Sequence, residues 1–353
     1  MTKLAEKFQL VNCPRTGYTR DTKIYNFMTK PVLVSGIQPT GNLHLGNYLG
    51  AVRNWVVLQN SGEYEQYIFV ADWHALTGKI TPEALREQTK TTFAELLAAG
   101  LDPKKTTLFV QSQIMEHTEL AWIFNCVTPI SELERMTQYK DKVAQFKQAT
   151  AGLFTYPVLQ AADILIYHGA LVPVGQDQIQ HVELTRDIAR WFNNKYGDYF
   201  PETKHLLTPV PKVMSLQEPE KKMSKSLGAD HVIELADEPE MIMAKFKKAV
   251  TATSGGGQAP GVKNLLTLLK EFGDTATYNK FIVAEKDGTI RYGDLKSALA
   301  EAVSKNFADF RTKRAALLKD EKKIAKLMAD GAKKAQKIAA KTLMEVKKIT
   351  GLK

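Results

Sequence analysis

The sequence predicts an α/β fold: a parallel sheet with helices on both faces, followed by an all-helical segment. Three observations carry the prediction. From Pro31 onward, short apolar runs alternate with stretches of helical period, the pattern of strands joined by crossover helices. The first of those runs ends in a turn rich in Gly and Pro before its helix begins. After about Val232 the strand-like runs give way to helical periodicity, broken by a flexible loop at Gly255-Gly256-Gly257. At 353 residues the chain is long for one core. The predicted organisation is an extension without clear periodicity at 1–30, a sheet-bearing domain at 31–232 and a helical, basic domain at 233–353.

In chain order, the strands are Val32–Ser35, Tyr67–Ala71, Thr107–Gln111 and Leu171–Val174, with a shorter candidate at Lys212–Met214. The apolar runs, bounded by turn residues, have the character of buried strands. Helices are predicted at about 45–59, 82–99, 117–127, 141–149, 158–168 and 178–197. In the first, Leu45, Leu49, Val52 and Val56 recur at three- and four-residue steps; in the last, Leu184, Ile188 and Trp191 share a face. Pro157 suits the first position of its helix, where a missing N–H costs nothing. The final helix shows Ala332, Ala335, Ala339, Leu343, Val346 and Ile349 at helical spacing, with lysines between them and Gly351 as C-cap. In sheets of this kind ligands sit at the carboxyl ends of the strands.

Composition excludes several classes. The chain is 44% hydrophobic and 24% charged, and no apolar run approaches the length of a membrane span. The first thirty residues lack a signal-peptide core; they are basic but contain acids and no Ser, which fits a transit peptide poorly. Cys13 and Cys126 have no CxxC or His/Cys partner spacing, so neither a disulfide framework nor a zinc site is expected, and free thiols in a reducing cytosol are the default. The net charge is +10, and residues 301–353 hold 15 Lys and Arg against 6 Asp and Glu. Such a block points to a polyanion, nucleic acid first, although a solvated lysine-rich helix face reads the same charges equally well.

Two stretches carry chemistry. Ser35-Gly36-Ile37-Gln38-Pro39-Thr40-Gly41-Asn42-Leu43-His44-Leu45-Gly46-Asn47 runs from a strand through a glycine turn into a helix, with His44 and Asn47 three apart at its first turn. Unpaired N–H groups and a partial positive charge at a helix start suit a phosphate. Gly36, Gly41 and Gly46 let a nucleotide approach the backbone closely. A tight strand-to-helix turn without ligand satisfies the same residues. The second stretch, Lys221-Lys222-Met223-Ser224-Lys225-Ser226-Leu227-Gly228, alternates small, hydroxylated and cationic residues, as in a loop that grips phosphate oxygens with charge-assisted bonds. Alone it would be an ordinary solvated loop; beside the first it points to a phosphate ligand.

The pair resembles the signatures of class I aminoacyl-tRNA synthetases: a His-x-Gly-(His/Asn) element after the first strand and Lys-Met-Ser-Lys-Ser at 222–226 after the last. Ser35–Tyr48, Ala71-Asp72-Trp73-His74-Ala75, Glu132-Leu133-Glu134-Arg135-Met136-Thr137-Gln138-Tyr139-Lys140, Tyr156–Tyr167 and Gly175-Gln176-Asp177-Gln178 are similar to the bacterial-type tryptophanyl-tRNA synthetase family, over roughly 31–353. The resemblance implies a Rossmann-like catalytic domain that includes the 222–226 loop, then a helical anticodon-binding domain. It implies ATP-dependent activation of L-tryptophan to the adenylate and transfer to tRNA(Trp), with Mg²⁺ carried by the triphosphate and no dedicated metal ligands. A cytoplasmic homodimer without membrane association is the accompanying expectation. By the same resemblance, Gln38, Pro39, Thr40, His44, Gly46 and Asn47 hold ATP; Gly175, Gln176 and Asp177 bind its ribose and adenine side, with Val213 near the base. Lys222 and Lys225, helped by Lys140, meet the charge on the leaving pyrophosphate, and Met223, Ser224 and Ser226 complete the loop.

Selectivity rests on Tyr156, Gln160 and Asp163, which fall on one helix face at i, i+4 and i+7. Asp163 is a lone carboxylate in Ala161-Ala162-Asp163-Ile164-Leu165-Ile166, so it needs a donor. An indole N–H is one, and the resemblance assigns that role; an aspartate capping a neighbouring segment is the alternative. Tyr156, Gln178 and Gln38 are expected to meet the amino and carboxylate groups, with His74 bordering the pocket. Three residues depart from the commonest family pattern: Gln160 for methionine, Gln176 for glutamate, and Leu227-Gly228 after the loop where Asp or Asn is usual. His181 reads as packing near the site, and His117, His168, His205 and His231 carry no signal. Arg311, Lys313, Arg314, Lys333, Lys334 and Lys337 are the candidates for RNA contact. The competing functions are a tyrosyl-tRNA synthetase-like ligase, whose Gly-Gly-Ser-Asp-Gln stretch is absent, a small-molecule nucleotidyltransferase, and a non-catalytic RNA-binding paralogue.

Overall fold

The structure, a computed structural model, describes residues 30–137, 150–175, 178–207, 212–251 and 259–353. The extension at 1–29, the helix expected at 141–149 and the Gly255-Gly256-Gly257 loop lie outside the described residues. Five parallel strands form one sheet: β1 (Val32–Ile37), β2 (Glu65–Val70), β3 (Thr106–Val110), β4 (Leu171–Val174) and β5 (Lys204–Leu207), in the order β3-β2-β1-β4-β5. The chain works outward from β1 to β3 and then returns to the other side of β1. The crevice of this fold class therefore opens between β1 and β4, at their carboxyl ends.

The strands β1, β2 and β3 split their side chains between two cores, because successive residues point to opposite faces. Leu33, Ile68, Val70, Leu108 and Val110 face one core, while Val32, Val34, Tyr67, Phe69 and Phe109 face the other. The first core is closed by α1 (45–61, with a π turn at Tyr48–Val52), α3 (Pro82–Ala98), and the helices α8 (Pro239–Lys248), α9 (Pro260–Phe272) and α11 (Tyr292–Asn306). The second is closed by α4 (Glu116–Asn125), α6 (Ala151–Leu165), α7 (Ile179–Tyr196) and α13 (Glu321–Thr350). Short helices α2 (Asp72–Ala75) and α5 (Ile130–Glu134) follow β2 and α4; α10 (Thr275–Lys286) and α12 (Ala308–Lys319) complete the C-terminal helices. The helical segment thus shares its apolar core with the sheet. Among the described residues no helix is long and apolar enough to cross a membrane.

Two local expectations are corrected. Lys212–Met214 is not a strand of the sheet; Met214 forms an isolated antiparallel bridge with Lys222, and Val213 C=O accepts Met223 N–H at 3.0 Å. The fifth strand is instead Lys204–Leu207, short and mostly exposed, so it lacks the apolar run that marks the others. Pro157 does not open its helix. The helix begins at Ala151, capped by Thr150 Oγ1, which accepts Leu153 N–H at 3.2 Å, and Pro157 lies inside it.

The long α13 carries the alanine stripe inward: Ala335, Ala339, Leu343 and Val346 are buried, whereas Ala332 is half-buried and Ile349 lies at the surface. It crosses the edge strand β3 so closely that a Cβ on Gly331 would sit 1.8 Å from Leu108 O. Gly331→Ala must therefore push the helix off the strand, and we expect it to cost about 1–3 kcal/mol in urea unfolding. An unchanged unfolding midpoint would show that the contact is not needed.

Candidate active site

The glycine turn and the lysine loop meet. Lys225 Nζ donates to Asn42 C=O at 2.5 Å, and a Cβ on Gly41, which adopts φ 96°, would lie 3.0 Å from that ammonium. Around this contact, His44 bridges Glu234, Leu45 N–H donates to Ile233 O at 3.0 Å, and Leu235 N–H donates to Leu43 O at 2.8 Å. Met223 is buried beside Gly46, Val213 is buried beneath the loop, and Ser224 caps the 3₁₀ turn Lys225–Leu227. Ser224 and Ser226 hydroxyls pair at 2.9 Å, while Lys222 is exposed. Gln38 and Thr40 are exposed on the turn and Pro39 is buried.

His44 is not in the first helical turn but is its cap, with extended backbone. Its Nδ1 accepts Gly46 N–H at 3.0 Å, its ring also caps the Asn47 N–H, and Asn47 Oδ1 accepts His44 N–H at 3.2 Å. The N–H groups of Leu45, Gly46 and Asn47 at the helix start are thus bonded within the protein. The helix charge, the Lys225 ammonium on the Asn42 carbonyl and the other nitrogen of His44 are the features of this turn that suit an anion. Gly36 and Gly46 serve packing: a Cβ would come within 2.6 Å of the Phe69 ring and 2.8 Å of the His44 ring, respectively. Burial first, then the charges of Lys225 and Lys222, lower the His44 pKa to about 4, so the imidazole is neutral at pH 7. With Nδ1 accepting, its proton sits on Nε2. Burial also lowers the Lys225 pKa, against the pull of Glu234 and Glu95.

A second cluster centres on Asp163, which α6 holds completely buried. His74 Nε2 pairs with Oδ2 at 2.7 Å, and His117 Nδ1 with Oδ1 at 2.5 Å. Gln111 Nε2 donates to both oxygens at 2.7 and 2.8 Å, and His117 Nε2 meets Tyr167 Oη at 2.7 Å. Burial would push the Asp163 pKa up, but the hydrogen bonds from His117 and His74 outweigh it and hold it at about 2. The carboxylate is ionised with its acceptor positions filled. On the same helix, Tyr156 Oη bonds His181 Nε2 at 2.9 Å and is pushed up to about 12 by burial, and Gln160 is half-buried. A cavity of about 330 Å³ lies beside this cluster, with His74, Tyr156, Leu159, Trp73 and Trp122 in its wall.

Of the expected residues, Gln38 and Gly175 directly follow β1 and β4 and flank the crevice, with Gln178 capping α7. Lys140, Gln176 and Asp177 lie outside the described residues. Gln111, His117 and Tyr167 were not anticipated, and His181 is buried near the site, with its Nε2 on Tyr156 Oη. Gln111 directly follows β3, a position that could have flagged it. His117 and Tyr167 have no local signal, since an isolated His or Tyr in apolar sequence is usual in a core. Among the RNA candidates, Arg311 and Arg314 turn inward: Arg311 donates to Ser304 O at 2.9 Å and Arg314 to Glu95 at 2.7 Å. Lys334 donates to Pro103 O at 2.9 Å, and Lys313, Lys333 and Lys337 are exposed.

The class I tRNA synthetase family (W and Y) matches residues 28–308. The chain is 46% identical over 326 residues to tryptophan–tRNA ligase 2 of Streptomyces avermitilis, covering 90% of this chain and 95% of that protein. It is 44% identical over 332 residues to the tryptophan–tRNA ligase of Wolinella succinogenes, covering 92% and 100%. Its structure is similar to the tryptophanyl-tRNA synthetase of Campylobacter jejuni complexed with ADP and tryptophan, with a TM-score of 0.80, 34% identity and coverage of 91% of this chain and 99% of that one.

Because the folded pKa of His44 lies below its ordinary 6.5, the unfolded chain takes up that proton first as pH falls. His44 therefore contributes stability above about pH 6.5 that is lost toward pH 4. Urea unfolding should show a smaller loss between pH 7 and pH 5 in His44→Gln than in the wild type. Equal losses would mean that the ring is not shielded.

Proposed function

The chain belongs to the class I tRNA synthetases for tryptophan and tyrosine, and we propose that it is a bacterial-type tryptophan–tRNA ligase acting on ATP, L-tryptophan and tRNA(Trp). In the first step a carboxylate oxygen of tryptophan attacks the α-phosphorus, the bond to the bridging oxygen breaks, and pyrophosphate leaves with that electron pair. In the second, a ribose hydroxyl at the tRNA end takes the aminoacyl group and AMP departs. The observation that carries this reading is Lys225 lying on the glycine turn beside a neutral His44, so that a cationic and a neutral donor converge there.

Little covalent work is asked of the protein, so positioning and charge must supply the rate. Lys222 and Lys225 meet the negative charge that grows on the departing pyrophosphate. His44 offers its Nε2–H as a donor whose charge does not change near pH 7, and Asn47, whose side chain fixes the His44 backbone, keeps that ring in place. Gln38, Pro39, Thr40 and Gly46 line the triphosphate side, and Gly175 and Val213 the nucleoside side. Lys140, Gln176 and Asp177 keep the roles the resemblance implies. The triphosphate brings its own Mg²⁺ as part of the substrate.

Tryptophan is recognised, in this reading, by exchange at Asp163. The indole N–H takes the place that His74 holds on Oδ2, so the buried carboxylate trades one donor for another. A phenyl ring would displace His74 and return nothing, leaving a buried acceptor unpaired, which supports discrimination of roughly 10⁴–10⁵ without editing. Tyr156, Gln160 and Gln178 border the rest of the amino acid. We assign the dimer interface to the apolar face made by Leu76, Met115 and Trp122: all three are exposed, Leu76 and Trp122 share the wall of one cavity, and Met115 lies two turns before Trp122. The exposed free thiol of Cys126 fits a cytoplasmic setting. The exposed Lys313, Lys333 and Lys337 fit contact with RNA phosphates, and the residues from 233 onward an anticodon-binding role.

Amino-acid-dependent exchange of pyrophosphate into ATP tests the assignment. Tryptophan should support exchange and tyrosine and phenylalanine should not; activity with tyrosine alone would overturn it. Lys225→Ala should lower the exchange rate on the order of 10²–10³-fold while tryptophan affinity, measured by calorimetry, stays near the wild-type value. Wild-type exchange in that variant would remove Lys225 from the mechanism.

A further inference from the structure

Arg314 stands on α12, more than two hundred positions from the glycine turn, yet its guanidinium reaches that turn directly. Nε donates to Glu95 Oε1 at 2.7 Å, and Nη2 donates to Asn42 Oδ1 at 3.1 Å. Glu95 is fully buried, and its other oxygen accepts Leu43 N–H at 2.6 Å. Asn42 Nδ2 donates to Glu234 Oε2 at 2.7 Å, and Asn42 C=O receives Lys225. The peptide unit between Asn42 and Leu43 is therefore held at both ends. Its carbonyl faces the lysine loop, its N–H faces Glu95, and the Arg314 fork fixes both the carboxylate and the Asn42 side chain.

We propose that Arg314 is a positioning residue for the activation step, orienting the Asn42–Leu43 peptide so that Lys225 is delivered to the triphosphate, and that it is not an RNA contact. The geometry requires a fork. A single ammonium at this place keeps a charge beside Glu95 but cannot hold Glu95 and Asn42 in fixed relation. The inference rests on the reading of Lys225 as a triphosphate contact, and the controls separate the two.

The variants are Arg314→Lys, which keeps Glu95 compensated, and Asn42→Ala, which removes the side chain that Arg314 holds while leaving the carbonyl in place. Both should raise KM for ATP in pyrophosphate exchange roughly 10-fold, a loss in the range expected when a reacting group is slightly misplaced. KM for tryptophan in exchange and KM for tRNA in aminoacylation should stay at wild-type values. The effect should also be non-additive with Lys225→Ala: adding Arg314→Lys to that variant should cost nothing further, because both changes disable one delivery. Wild-type exchange in Arg314→Lys together with a raised KM for tRNA would overturn the proposal in favour of an RNA contact. Losses that multiply with those of Lys225→Ala would overturn it as well, since they would reflect general weakening. If Lys225→Ala itself exchanges normally, the underlying assignment of Lys225 fails instead.

Discussion

The bond from Lys225 to the carbonyl of Asn42 joins segments 183 positions apart and sets where charge lies in the whole site. The partly buried Lys225 and the exposed Lys222 both act on a turn that holds no carboxylate of its own, and like charges repel. The offsetting anions come from elsewhere: Glu95 from α3 beneath the turn and Glu234 from the segment after the lysine loop. Burial raises the Glu95 pKa, against the opposing pull of the Leu43 N–H and Arg314. The result is a turn whose shape and charges are fixed by contacts within the protein. Such preorganisation lets charge stabilisation act without rearrangement at the moment of reaction.

The Asp163 cluster obeys a different constraint. A carboxylate with no exposed surface persists as an anion only if every acceptor position is filled, and Gln111, His74 and His117 do that from three elements. Those elements converge because β1, β2 and β3 are parallel and in register, which brings the residues after their carboxyl ends to one side of the sheet. The parallel sheet is thus what assembles a polar network that no single segment contains.

This explains which features were legible in the sequence. Alternation of apolar runs and helical periods is local, so four of the five strands, the helices expected at about 45–59, 82–99, 117–127, 158–168 and 178–197, and the final helix could be read directly. The glycine turn and the lysine loop were readable because each is a continuous stretch of unusual composition. The polar cluster was only half readable. Asp163 stood out as a charge among alanines and isoleucines, but its partners Gln111 and His117 lie far away in sequence and look ordinary where they stand. β5 was missed because an exposed edge strand needs no apolar run, and Pro157 misled because packing on the sheet overrides the propensity of one residue. Arg314 looked like any other cation of a basic helix; only its distance to Glu95 reveals the inward turn.

The close seat of α13 on β3 has a bearing on how the chain matures. Lys334 meets Pro103 across 231 positions, so the edge of β3 is made long before the helix that shields it. At about 5–20 residues per second, a ribosome needs roughly 10–50 s to cover that interval. During that time the nascent sheet presents an open strand, a surface prone to pairing with other chains. The exposed edge is covered only when Gly331 of the late helix seats against Leu108.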